Sequence, residues 1–197
     1  MEQPRSSLMA VDVALIPPEW VQERARRINR KLLSGELQLD ATHVPHVSLA
    51  QLFVLRATVP LLIERLGLAL SRPRAMQLRA LAVVDQQSTI SFLLDRTEEL
   101  LELHEGLMDA LKEWEEEGGD ADAFYSDGEP ARKKDVEWVT SFRTAASYRK
   151  FIPHLTLGFG QAPDRIEPFE FVADHVGLYH LGRFCSCRIL LHSWRLC

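Results

Sequence analysis

The chain has 197 residues, a formal net charge of −5 and a hydrophobic fraction of 46%. These values suit a single domain, which could be built of two lobes, and exclude disorder over most of the length. No apolar run approaches the roughly 18 residues of a membrane span, and no basic-then-apolar leader opens the chain. The three cysteines, Cys185, Cys187 and Cys197, are too few and too clustered for a disulfide scaffold. A reducing, cytoplasmic address follows as the expectation, with the nucleus as the alternative.

The first predicted strand is Val11–Ile16, where Val11, Val13 and Leu15 alternate and Pro17-Pro18 stops the run. A helix over about 18–33 follows, with Val21, Ala25, Ile28 and Leu32 on one face. A strand is expected over 45–55. Thr58 is placed to cap a helix through about Leu70, with Pro60 tolerated in its first turn. Two strands follow, over 75–84 and 88–94. The strongest helical pattern runs from Thr97 to Trp114, with Leu100, Leu103, Leu107 and Leu111 in register, and Gly118-Gly119 ends it.

Residues 113–129 hold eight acidic residues and no Lys or Arg, so the remainder of the chain carries +3. That remainder is too weakly basic for a duplex-binding surface but permits a small phosphate site. The acidic run itself reads as a solvated, mobile loop. A helical stretch over 131–146, a strand over 152–159 and two closing strands over 169–181 and 184–194 complete the chain.

One long-range echo carries the functional reading. Pro45-His46-Val47-Ser48-Leu49 returns as Pro153-His154-Leu155-Thr156-Leu157. From average residue usage, even one such window is expected in roughly one chain in a thousand, so two are not accidental. In a strand, residues i and i+2 share a face. His46 and Ser48 therefore project together, as do His154 and Thr156, while Val47, Leu49, Leu155 and Leu157 face a core. Two imidazoles can divide acid and base work near neutral pH, and two hydroxyls can donate to phosphoryl oxygens. The two motifs do not tell which histidine is the base.

PHVSL and PHLTL resemble the paired His-x-Ser/Thr signatures of the 2H phosphoesterase superfamily, in its bacterial 2′-5′ RNA ligase-like and cyclic phosphodiesterase branch. DVALIPPEW resembles that branch's opening strand and proline turn, HVSLAQLFV its first motif strand, and VGLYHLGRFCSCRILLHSW its closing pair. The resemblance implies an α+β, bilobal fold: two pseudo-symmetric antiparallel sheets with flanking helices and a central cleft. Residues 1–197 would then form one bilobal domain with an acidic insertion around 113–130.

The resemblance also implies a phosphodiesterase acting on RNA-type nucleotides, at a 2′,3′-cyclic phosphate or a 2′-5′ linkage, without metal or cofactor. His46, Ser48, His154 and Thr156 would be catalytic. An RNA 2′-5′ ligase, a 3′-end exonuclease of the same superfamily and a non-catalytic nucleotide- or RNA-binding module are the alternatives. The expected partner is a nucleotide or short RNA and no membrane; a monomer is favoured.

Tyr148 and Phe151 are candidates to stack on a base, and Arg149, Arg143 and Lys150 to approach a phosphate, as are Phe53 and Arg56 after the first motif. Cys185 and Cys187, with His192 and Cys197, lack the second pair of a zinc spacing and read as structural thiols. His104 and Glu105 read as a surface pair. His175, His180 and His192 read as structural or exposed.

Overall fold

The computed structural model describes residues 6–32, 36–86, 89–161 and 166–196. Eight strands and four α-helices run in the order β1 (Leu8–Ile16), α1 (Glu19–Asn29), β2 (Val47–Leu55), α2 (Val59–Ala69), β3 (Met76–Gln86), β4 (Thr89–Leu94), α3 (Glu98–Ala110), α4 (Lys133–Ala145), β5 (His154–Phe159), β6 (Phe169–Ala173), β7 (His175–Gly182) and β8 (Ser186–Arg195). The expected helices and strands are present among the described residues except the single strand over 169–181, which is two strands. Residues 33 and 88, which bound an expected helix and an expected strand, and Cys197 lie outside them.

The strands form two antiparallel four-stranded sheets, ordered β2-β1-β7-β8 and β5-β4-β3-β6. The fold is α+β and bilobal, as the resemblance implied. Each motif occupies an edge strand, β2 in the first sheet and β5 in the second, and these two edges contact each other. One large apolar cluster carries residues of both sheets, among them Val13, Val47 and Leu49 with Phe92, Leu155 and Leu157. The alternation in both motifs is thus spent as the period of two requires, with Val47, Leu49, Leu155 and Leu157 all buried.

Three details differ from the expectation. The closing apolar stretch 169–181 breaks at Asp174: β6 pairs with β3 in the second sheet, and β7 crosses to pair with β1 in the first. Helix α1 stops at Asn29, short of residue 33. The buried Asn29 amide donates to the carbonyls of Leu37 and Leu157 (2.7 Å each) and accepts from Leu39 N (2.9 Å). It thereby ties the helix end to a loop and to β5. Thr58 does not cap α2; its hydroxyl donates back to the Leu55 carbonyl (2.9 Å). Thr97, by contrast, does cap α3, accepting from Leu100 N.

The acidic run is not a solvated loop. Phe124 is buried with its ring edge-on to Phe53, 5.8 Å between centroids. Tyr125 N donates to the Leu181 carbonyl (2.7 Å), adding a bridge to β7. Asp127 pairs with Arg188 (2.6 Å), Glu129 with Arg183 and Glu115 with Arg143. One apolar anchor, a backbone bridge and three arginines from elsewhere in the chain dock a segment whose composition alone suggests solvation. Helix α4 continues this cover and packs against β2.

Candidate active site

Both motifs begin with an X-Pro-His step, and a residue before proline is held extended. That geometry aims the carbonyl of the X residue at the imidazole two positions on. His46 Nδ1 donates to the Val44 carbonyl (2.7 Å) and His154 Nδ1 donates to the Ile152 carbonyl (2.8 Å). A carbonyl can only accept, so Nδ1 carries the hydrogen in both rings and Nε2 is the atom left for proton transfer.

The two strands also share an irregularity. The β1–β2 register shifts so that Ala14 faces Ser48 while Val13 faces Ala50, leaving Leu49 as the extra residue. The β4–β5 register shifts so that Ser91 faces Thr156 while Ile90 faces Gly158, leaving Leu157 as the extra residue. Each bulge falls immediately after the motif hydroxyl. Bulges bend a strand and re-aim its side chains, and here they do so at equivalent positions of the two lobes. Gly158 serves its bulge with φ of 139°, and a Cβ there would fall 2.7 Å from Asn29 Nδ2.

His154 feels the charge of the other motif histidine. Burial pushes the His154 imidazole below its ordinary value, and a charge on His46 pushes it further the same way. The Ile152 carbonyl and the Asp12 carboxylate oppose both.

Asp12, in the middle of β1, is completely buried on the face that carries the motif side chains. Its Oδ2 accepts from Ser48 Oγ (2.6 Å) and Gln51 Nε2 (2.7 Å), and Gln51 Nε2 also donates to Ser48 Oγ (3.0 Å). His46 Nε2 stands 3.6 Å from the same oxygen. Asp12 Oδ1 has no hydrogen-bond partner among the described residues. Burial pushes the Asp12 carboxyl above its ordinary value, while His46, Ser48, Gln51 and His154 pull it back.

The two motif hydroxyls are therefore not equivalent. Ser48 accepts from Gln51, so its own hydrogen goes to Asp12. No hydrogen bond from the Thr156 side chain is found among the described residues, which leaves that hydroxyl available for a phosphoryl oxygen. Sequence reasoning missed Asp12 and Gln51. The available signal was a lone acid inside an otherwise apolar strand, and an amide three residues after Ser48.

The secondary candidates take other places. Phe151 is buried and stacks on His104, 3.9 Å between centroids, so its ring packs the core. The Tyr148 hydroxyl donates to Asp109 (2.8 Å) and accepts from Arg143 (3.2 Å), which joins α3 to α4. Arg143 also pairs with Glu115, Lys150 Nζ donates to the Thr144 carbonyl (2.8 Å), and Arg149 is exposed. Phe53 is buried against Phe124, and Arg56 donates to the carbonyls of Ser6 and Leu8.

His104 is buried rather than on the surface. Its Nδ1 donates to the Leu49 carbonyl (2.7 Å) and its Nε2 accepts from Tyr148 N (2.9 Å). That pattern holds it neutral, and burial lowers it to about 4.

Cys185 lies in a 3-10 turn with φ of 50° and its thiol reaches the Asp135 carbonyl. Cys187 is buried with Ala10 and Ala14, and Cys185 packs against the same cluster. Asp12, His46 and Cys187 do bring one donor atom each within 4.8 Å of one another. Burial pushes the Cys187 thiol well above its ordinary value, and a thiol must ionise to bind metal well.

No helix among the described residues is long and apolar enough to cross a membrane. No curated protein matches the chain in sequence. Among solved structures, that of TT0787 from Thermus thermophilus is 18% identical with a TM-score of 0.61, covering 95% of this chain and 98% of its own. E. coli LigT complexed with NADP+ is 16% identical with a TM-score of 0.56, covering 97% and 99%. LigT complexed with 3′-AMP is 16% identical with a TM-score of 0.53, covering 96% and 98%. These likenesses show a shared fold. The family model of the 2′-5′ RNA ligase superfamily matches residues 17–183, a span that includes both histidine motifs, and the chain belongs to that family.

Proposed function

We propose that the protein is a phosphodiesterase that acts on RNA-type nucleotides by two-histidine acid–base catalysis and needs no metal. The observation that carries this reading is the matched pair of imidazoles. Each is locked through Nδ1 by the carbonyl two residues before it, on edge strands that touch across the two lobes. One Nε2 takes a proton from the attacking water while the other gives a proton to the leaving ribose oxygen. Thr156 donates to a non-bridging oxygen as charge builds on phosphorus. A substrate with a 2′,3′-cyclic phosphate supplies both the phosphoryl group and the leaving hydroxyl. The nucleotides bound in the LigT crystals support a ligand of this class. With a ribose 5′-hydroxyl in place of water as the nucleophile, the same opening of a cyclic phosphate forms a new phosphodiester and frees one ribose hydroxyl, so ligation is the companion activity.

The test is a product analysis with 2′,3′-cyclic mononucleotides, 2′-5′ and 3′-5′ oligoadenylates, and RNA ends. Turnover should be present and should fall at least about 100-fold in His46→Ala and in His154→Ala. The double variant should be little worse than either single one, because the pair acts as a unit. Binding without turnover, or a near-wild-type single variant, would refute the mechanism.

A further inference from the structure

We infer that Asp12 is a positioning residue that holds His46 as the imidazolium, making His46 the proton donor to the leaving oxygen and His154 the base. This rests on the two-histidine reaction proposed above and assigns the roles that two near-identical motifs leave open.

The asymmetry is in the surroundings. Asp12 Oδ2 receives two donors, Ser48 Oγ–H and Gln51 Nε2–H, which is the environment of an ionised carboxylate oxygen. Burial opposes that charge and Oδ1 has no partner among the described residues, so the two donors on Oδ2 and the neighbouring imidazole of His46 are what hold it. The carboxylate therefore faces His46 as a charge. At 3.6 Å the contact is longer than a hydrogen bond. Asp12 thus favours the charged ring without capturing the Nε2 hydrogen, which stays free for the substrate.

The other ionisable groups around this point do not compete. Cys185 in the turn before β8, Cys187 on β8 and Tyr179 on β7 are kept neutral near pH 7 by burial, Tyr179 being pushed up to about 12. His154 on β5 is the remaining group, and a second positive charge beside an imidazolium is disfavoured. The site consequently starts with one proton on the side of Asp12 and a neutral His154.

The step then balances. His154 Nε2 takes a proton from water as the water oxygen bonds to phosphorus. The phosphorus–oxygen ester bond breaks, and the departing ribose oxygen takes the proton from His46 Nε2. The product is a phosphomonoester with a free hydroxyl, and the two rings exchange protons with solvent to reset.

Asp12→Asn keeps an acceptor for Ser48 and Gln51 and removes the charge, with its NH2 group taking the place of Oδ1. Site-resolved NMR titration of the histidine Cε1–H signals reads the effect without any turnover. In the wild type, His46 should titrate at higher pH than His154. In Asp12→Asn, the His46 midpoint should fall by about one to three pH units, with a smaller change at His154. The basic limb of kcat/KM should move to lower pH by a similar amount, while the acidic limb holds; a merely structural role would not move one limb selectively.

An unchanged His46 midpoint in Asp12→Asn would overturn the inference. So would a wild-type protein in which His154 titrates above His46, a result that stands even if the variant does not fold. A wild-type protein that turns over none of the phosphodiesters overturns the proposed function instead, and Asp12's hold on His46 is still decided by the titration.

Discussion

At the scale of single residues, the two motifs look interchangeable in sequence and are not so in space. His46 and His154 have the same backbone partner, but only Ser48 has a buried carboxylate beneath it. Removing the Thr156 hydroxyl should therefore remove a hydrogen bond to the charged phosphoryl group directly. Thr156→Ala should lower kcat/KM roughly tenfold to a hundredfold, the size of a lost charge-assisted hydrogen bond. Ser48→Ala should cost less at the pH optimum and should act by moving the basic limb, because Ser48 works through Asp12. Steady-state kinetics across pH on one cyclic mononucleotide separates these; equal, pH-independent losses would contradict the geometry. The histidine-hydroxyl pairs were legible because a period of two is written in the chain. Asp12 was not, because its partners Ser48 and Gln51 are more than thirty residues away and only strand pairing brings them together.

At the scale of elements, the helices and the acidic segment decide how firmly the two motif strands are held. His104 on α3 bonds Leu49 in the first motif strand and Tyr148 just ahead of the second, so one neutral imidazole braces both. Its folded value of about 4 lies below the ordinary 6.5 of an unfolded chain. The unfolded state thus binds the proton more readily, and the stabilisation is full above pH 6.5 and lost as pH falls toward 4. The loss should be on the order of 3 kcal/mol, and His154 and the buried His180 add in the same direction. Melting temperature should fall over that window, and His104→Gln should flatten the slope; a wild-type curve level from pH 7 to 4.5 would show that His104 does not brace the strands.

The acidic segment gives a second prediction at this scale. Phe124→Ala empties a buried aromatic site against Phe53 and should destabilise by about 3–5 kcal/mol. Calorimetry should show a melting temperature lower by on the order of 10 °C. A negligible shift would restore the view of this run as a solvated loop. Its docking was illegible because a net-acidic, glycine-containing stretch has the composition of a loop. What seats it is the pairing of Asp127, Glu129 and Glu115 with arginines that lie elsewhere in the chain.

At the scale of the whole molecule, the two sheets meet at their motif-bearing edges, and the reaction belongs to the pair rather than to either lobe. The rate should follow a bell in pH, since one ring must be neutral and the other protonated. Burial and the charge of His46 lower His154, so the acidic limb should lie below pH 6.5, and activity should rise as pH rises through it. Activity should also survive exhaustive chelation. The one group of donors found among the described residues, Asp12, His46 and Cys187, offers a single imidazole, and its carboxylate oxygen already accepts from Ser48 and Gln51. Loss of activity with chelator and its return with Mg²⁺ or Mn²⁺ would refute the metal-free reading.

The sequence by itself determined most elements and the two histidine-hydroxyl pairs, because helical and strand periodicities and a repeated pentapeptide are local patterns; the α+β class came through the family resemblance that those pairs carry. Tertiary structure alone decided where those patterns meet. It split residues 169–181 between two sheets at Asp174 and placed a bulge after each motif hydroxyl. It buried His104 between the motif strands, and it set Asp12 beside only one of two like histidines. Each of these depends on which strand lies beside which. That is settled by packing across the whole chain, and no window of neighbouring residues contains it.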